Sequence, residues 1–418
     1  MFGEALVSQR QGADKSSMRV PYRLFSLNGI IASRKIGILL TRRAFIGSAA
    51  AATAACGRRK ASGFSGYAFI ANQEGQAVAA VDLTVFAVAR HIRVDGRPTA
   101  VIADDRRAAV YALTPENGTV HEIQADKLTF LRKTRLAERA LSMRLAPDGG
   151  ALYVLCSEPK KLVRVKLDSL TVDWQVALAA EPADMDPDPL GRWVAVSHGA
   201  ARTITLLDLT GGTAAQTLRL TGDVGNVRFQ SDGRQLIAAN LSDRMLAIYQ
   251  PSGGRLVVNL PLAVRPDHFC FNSNGGQLFV TGEGMDAVVV VYPYYTPQVA
   301  ETVLAGHSPG FMAASTLKGT SPQFLFVANS KSGEVSILDV DGRRVVAVTP
   351  VGADPGYIMM TPDDRYALVL NQGSGDMAVI RVANIVRTIA QQRRSRKGAI
   401  FMMIPVGSKP VSGAVAAV

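Results

Sequence analysis

A chain of 418 residues with 48% hydrophobic and 19% charged residues can bury a large core, and the lack of long acidic or Gln/Asn tracts argues against disorder over most of it. Its net charge of +12 invites a nucleic-acid reading, but residues 1–55 and the run 381–398 each carry a net +6, which is the whole excess. The rest of the chain is neutral, so a phosphate-binding stripe across the fold is excluded and no nucleic-acid partner is expected.

In chain order, the first feature is TRRAFIGSAAAATAACG (41–57), two arginines ahead of an apolar, small-residue run that ends at a cysteine. Arg42 and Arg43, with Thr41, Phe45 and Ile46, resemble a twin-arginine export signal. The run to Cys56 is about a dozen residues, well short of the roughly 20 needed to span a bilayer. Thr53-Ala54-Ala55-Cys56-Gly57 resembles a lipoprotein processing site with Cys56 as the lipidated residue, although Thr53 stands where the family usually has Leu. The resemblance implies a membrane-anchored lipoprotein on the periplasmic side of the envelope, with ordinary cleavage to a soluble periplasmic protein as the alternative. Residues 1–55 are therefore set apart as leader and signal, with Met18 or a later codon a possible true start, and 56–66, small, polar and basic, as a tether.

From residue 67 one phrase recurs: YAFIAN (67–72), AVYALT (109–114), ALYVLC (151–156), RWVAVS (192–197), QLIAAN (235–240), QLFVTG (277–282), FLFVAN (324–329) and YALVLN (366–371). Such a period signals one four-stranded sheet per repeat. Each unit continues with two further apolar runs, such as VSILDV (335–340) and VVAVTPV (345–351), and then one that follows a proline, such as GYIMM (356–360). That last run ends in PDGG (147–150), SDGR (231–234), NSNGG (272–276) or PDDR (362–365), in which Asp or Asn bonds the backbone ahead and Gly supplies positive φ.

This wording, clearest at 323–365, resembles the YVTN-type β-propeller repeat. The expected fold is an all-β propeller over 67–418 of eight four-stranded blades, with seven as the alternative. In such folds the run after the proline is innermost, so PVSGAVAAV (410–418) is expected to pair with 67–72 and close the ring. The Asp-Gly turns then share one face with the start of the strand at 67 and with the basic segment, and the proline loops share the other. Ile385, Val386, Ile389 and Ala390, followed by Arg393, Arg394, Arg396 and Lys397, read either as a solvated loop or as a short amphipathic helix. In the second case the basic loop 387–397 would lie beside the lipid anchor on an anionic membrane.

Two sets of candidate site residues follow from this frame. Just before the prolines or their equivalents, Arg97, Glu181, Asp223, Arg265 and Asp354, with His307, stand around one mouth of the channel, either as solvated charges paired with neighbours or as a ligand ring. Inside the innermost strands lie Ser142, Asp184, Asn226, His268 and Tyr357 at one level and Arg144, Asp186 and Arg228 at the next. Charges there need partners, since an unpaired buried charge costs several kcal/mol. They form either an ion-pair network between blades or a channel site in which Asp184 or Asp186 is base or ligand, opposite His268, with Arg144 or Arg228 binding an anion.

No CxxCH, paired CxxC, HExxH, phosphate-binding Gly-rich loop or GxSxG occurs, so no catalytic residue, metal or cofactor is assigned. Cys156 and Cys270 read as buried free thiols. The expected role is a monomeric, non-enzymatic binding or scaffolding module of the envelope, with an unknown envelope protein or small ligand as partner. A hydrolase of the propeller lactonase type and a docking partner of an envelope redox system are the alternatives.

Overall fold

The repeated apolar phrase forms a strand buried on both faces in every unit, because each sheet is sandwiched between two others. In the computed structural model, which describes residues 63–209, 213–316, 322–390 (backbone alone for 388–390) and 399–418, eight four-stranded antiparallel sheets form a ring. Arg42, Arg43, Cys56 and the basic residues 393–397 lie outside the described residues.

The innermost strands are β4 (Ala100–Asp104), β8 (Arg139–Leu145), β12 (Asp184–Pro187), β16 (Val224–Phe229), β20 (His268–Phe271), β24 (Pro309–Ala314) and β28 (Pro355–Met360), in blades 2 to 8. Blade 1 is composite: β32 (Pro410–Ala417) is its inner strand, followed outwards by β1 (Gly66–Asn72), β2 (Ala77–Asp82) and β3 (Ala87–Arg93). β32 runs antiparallel to β1 from Gly66 opposite Ala417 to Asn72 opposite Pro410, so the chain ends meet inside one sheet. The core lies between blades: Ile70 and Val81 of blade 1 share a cluster with Tyr366, Leu368 and Leu370 of blade 8. Outer strands alternate exposed and half-buried positions because they meet solvent.

The recurring asparagine that closes the phrase has a structural job. Asn72, Asn240, Asn329 and Asn371 are buried at the proline-loop end of their strands. Asn72 donates to the Val406 carbonyl at 2.7 Å, Asn329 to Ser336 Oγ at 2.9 Å and Asn371 to Asp376 at 2.6 Å, so each fixes a neighbouring strand end or turn. At the opposite face Asp148, Asp232 and Asp363 accept from the backbone N–H two residues ahead, as the turn chemistry requires.

On that turn face Arg365 lies within 3.5 Å of the Gly63 carbonyl, and its own carbonyl accepts from Val382 N, where the helix α1 (Val382–Ala390) begins. The segment is thus helical over these residues rather than a loop. Ile385 is buried against Phe324 and Ile380, and Val386 is left exposed.

Removing residues 410–418 is expected to abolish cooperative thermal unfolding, measured by circular dichroism, because it strips the inner strand from blade 1 and leaves Phe69 and Ile70 uncovered. Gly191 and Gly233 hold φ of 70° and 65° in equivalent turns. A Cβ on Gly191 meets nothing within 4 Å, whereas on Gly233 it falls 2.5 Å from Asp188 Oδ1. Gly191→Ala should therefore cost about 1 kcal/mol and Gly233→Ala distinctly more in chemical denaturation.

Candidate functional site

The inner strands carry out a task that only the ring geometry creates. Each leaves an edge of backbone groups toward the channel, and polar side chains of one blade reach the edge of the next. Asp184 Oδ2 accepts from Val227 N at 3.2 Å and Asp186 Oδ2 from Phe229 N at 2.8 Å, linking blade 4 to blade 5. Asn226 donates to the Asp267 carbonyl, linking blade 5 to blade 6. Thr281 donates to the Gly310 carbonyl at 2.7 Å, and Ser412 Oγ accepts from Val101 N at 3.3 Å. Ser197 holds Asp184 in place by accepting from its N–H at 3.0 Å.

Asp184 is also the hub of the ion pairs. Arg228 Nη1 lies 2.5 Å from its Oδ2, and Arg144 Nη2 lies 3.6 Å from its Oδ1, so one carboxylate bridges cations of the blades on both sides. Burial opposes the charge on Arg228, but Asp184 and Asp186 more than offset it and hold the guanidinium above its usual range. Arg144 is pushed the other way, by burial and by repulsion from Arg228, with Asp184 and Asp186 only partly compensating. Burial raises the Asp186 carboxyl to about 6, against the pull of Arg228, the Phe229 N–H and Arg144.

The other side of the channel is aromatic. The rings of His268 and Phe311 lie 4.4 Å apart and those of Phe311 and Tyr357 5.6 Å apart, spanning blades 6 to 8. Burial raises the Tyr357 phenol, against the pull of the Ser412 hydroxyl and the Arg144 charge. Burial pushes the His268 imidazole down, so it is neutral at pH 7. Its ring nitrogens make no hydrogen bond among the described residues.

His268 and Phe311 open onto a cleft of about 700 Å³ at the proline-loop mouth. Arg265 binds Asp267 at 2.7 Å and Glu283 at 2.8 Å on one wall. On another, Asp286 takes His307 Nδ1 at 2.7 Å and Ser308 N at 2.8 Å, contacts that hold its carboxyl below the usual range. Lys331 also lines the cleft and has no ion pair within 4 Å among the described residues. Phe311, 42% exposed, presents an apolar face inside this charged rim.

Of the mouth residues expected from sequence, some line the cleft and others pair with neighbours. Arg265 and His307 line the cleft, but Glu181 pairs with Lys160 at 3.6 Å and Asp223 with Arg202 at 3.4 Å elsewhere on the rim. The Arg97 N–H donates to Glu116 Oε1, and Asp354 adopts φ of 52° with its carbonyl accepting from Gln372 N. Sequence reasoning missed Asp267, Glu283, Asp286 and Lys331; three of them stand in or beside turns between second and third strands, which end at the same mouth. Cys156 is buried as expected, Cys270 is only partly covered, and both thiols are free. Among the described residues no group of three His, Cys, Asp or Glu side chains is arranged to hold a metal.

No known family profile matches the chain. It is 25% identical over 152 residues to the seven-bladed β-propeller protein Rv1057 of Mycobacterium tuberculosis, a stretch covering 36% of this chain and 38% of that relative. Among solved structures it is similar to the dihydro-heme d1 dehydrogenase NirN in complex with DHE, with a TM-score of 0.70 and 14% identity over 84% of this chain and 75% of that one. AztD from Citrobacter koseri follows at 0.63 and 12%, covering 84% and 98%. At these identities the likeness is one of fold, the β-propeller.

Asp186 predicts a pH signature. Folding raises its pKa, so the folded state binds this proton more tightly than the unfolded chain, and the group lowers stability above pH about 6 but not below about 4. Asp186→Asn keeps an acceptor for Phe229 N and should raise stability near pH 7.5 by on the order of 2 kcal/mol, with the gain vanishing near pH 4. Thermal melts of both proteins across that range check it, and a gain independent of pH contradicts it.

Proposed function

We propose that this propeller is an exported binding module of the cell envelope, held to the membrane through Cys56, which receives a ligand or partner at its proline-loop mouth. The observation that carries the reading is the pairing of the inner-strand carboxylates: Asp184 is occupied by two arginines and a backbone N–H, and Asp186 by another. Neither is free to act as a base, whereas the cleft above them presents an exposed Phe311, a neutral His268 and Lys331. A ligand surface with its acids already committed suits recognition better than turnover.

The YVTN-like wording, the twin-arginine pattern and the cysteine at the end of the apolar run support export and anchoring. Gly63 and α1 both lie against Arg365 on the turn face, which supports an orientation with that face toward the membrane and the mouth away from it. The solved neighbour NirN, in complex with DHE, is an example of a similar fold that carries a small molecule.

Fractionation of cells expressing the full chain tests both halves. The wild type should partition with membranes and Cys56→Ala with the soluble periplasmic fraction. A partner or ligand co-purifying from detergent extracts should be lost on His268→Ala or Phe311→Ala without change in melting temperature. Membrane retention of Cys56→Ala sinks the anchor, and turnover of a lactone panel abolished by His268→Ala would replace binding with hydrolysis.

A further inference from the structure

The cleft at the mouth has a counterpart on the opposite face. Where the turns of blades 4, 5 and 6 meet, a second cleft of about 370 Å³ is lined by Arg192, Arg234 and Arg255, with Gln250, Ser252 and Tyr295 among its other walls. No acidic side chain lines it among the described residues. Arg192 and Arg234 stand in the turns between the two inner strands of blades 4 and 5, and Arg255 and Tyr295 border or lie in those between the two outer strands of blades 5 and 6, so all four are on the turn face. Resting on the reading that this face looks toward the membrane, we propose that the cleft binds the phosphodiester headgroup of an anionic phospholipid.

The three arginines are not equally engaged. Arg192 Nε lies 2.5 Å from the buried Asp188, and its Nη2 donates to the Gly233 carbonyl at 2.6 Å, so it forms a fixed wall. Arg234 is largely exposed and 3.8 Å from Asp232, a contact that water weakens. Arg255 makes no ion pair within 4 Å among the described residues and donates to the Gln250 side chain at 3.1 Å. Three cations thus meet two carboxylates, which leaves one positive charge for a ligand. A phosphodiester carries one negative charge, and its two unbridged oxygens accept the paired donors of a guanidinium. Gln250 and Ser252 beside them can bond the hydroxyls of a glycerol headgroup.

Tyr295 favours a lipid over a free anion. Five residues connect Tyr292 to Gln298 at the tip of blade 6, where four connect Asp82 to Ala87 in blade 1. In the shorter turn Phe86 packs on Tyr366 and is 5% exposed, whereas Tyr295 stands 91% exposed beside the cleft. Tyr294 steadies the longer turn, its hydroxyl 3.3 Å from Ser231 Oγ of blade 5. Leu190, in the turn that leads to Arg192, is exposed as well. A tyrosine and a leucine next to arginines set apolar surface and charge together, as a side chain at headgroup depth requires. Position adds to this. Gly63, seven residues after Cys56, lies by Arg365 of blade 8, across the ring from the arginine cleft. An acyl anchor at Cys56 holds one side of the face, and a headgroup contact on the far side would keep the ring from tilting.

The test uses the full chain carrying Cys56→Ala, so that no acyl chain contributes, in co-sedimentation with vesicles of phosphatidylglycerol and phosphatidylcholine in equal parts or of phosphatidylcholine alone. Binding should require phosphatidylglycerol and fall as salt rises. Arg234→Gln combined with Arg255→Gln should weaken it about fivefold or more, and Tyr295→Ala about threefold, with melting temperatures unchanged because these side chains are exposed. Arg93→Gln combined with Arg135→Gln removes the same charge from the mouth-side ends of the outer strands of blades 1 and 2 and should leave binding unchanged. Absence of binding to the mixed vesicles, unchanged affinity on loss of Arg234 and Arg255, or an equal loss on removal of Arg93 and Arg135 overturns the proposal. Competition by millimolar inorganic phosphate at constant ionic strength would assign the cleft to the free anion and overturns it too. In cells the Cys56 anchor is scored after a high-salt wash, which strips a headgroup contact, so the two readings fail separately.

Discussion

A ring of radial sheets leaves one unavoidable problem, the inner edge of each innermost strand. Its backbone groups have no further strand to pair with, and buried polar groups without partners are costly. Here side chains of one blade serve the edge of the next, always in the direction of the chain: blade 4 to 5 through Asp184 and Asp186, 5 to 6 through Asn226, 6 to 7 through Thr281, and 1 to 2 through Ser412. The last link ties the closing strand β32 into the same sequence. Closure is thus both a matter of pairing β32 with β1 and the source of the acceptor for blade 2.

This constraint explains why charged residues are tolerated in strands that should be apolar. Asp184 and Asp186 are each hydrogen-bonded to a backbone N–H of the neighbouring blade, and Arg228 neutralises Asp184 at close range. Removing Asp184 or Arg228 would leave the other's charge buried without its close partner, which costs more than the pair contributes. The raised Asp186 carboxyl shows where compensation is incomplete, since one close backbone N–H and more distant guanidinium charges do not offset its burial.

The eight blades and their closure were legible in the sequence because a repeat of apolar runs and Asp-Gly turns is built from local chemistry: period-two strands, Asx turns and positive-φ glycines. The polar inner strands from Ser142 to His268 also stood out, since they break that pattern. Their partners did not, because Asp184 and Val227 or Asn226 and Asp267 meet through the angular register of adjacent blades, which no local signal encodes. The cleft was hidden for a different reason. Glu283, Asp286 and Lys331 belong to hairpin turns that look like ordinary connections, and only the folded ring sets them beside the proline loops.

The channel is divided, with ion pairs along blades 3 to 5 and rings along blades 6 to 8. Edge bonds continue past blade 5 through Asn226, Thr281 and Ser412, so what changes along the ring is the charge of the inner strands and not the edge that they satisfy. The His268 and Phe311 rings line the cleft, and Phe311 keeps 42% of its surface exposed, whereas Tyr366 and Phe326 between the blades are fully covered. Exposed ring surface costs hydrophobic stabilisation at roughly 25 cal/mol per Å² that burial would have gained. Its retention beside the charged rim and the His268 imidazole gives the cleft an apolar contact within a polar frame, the arrangement that the proposed binding role calls for.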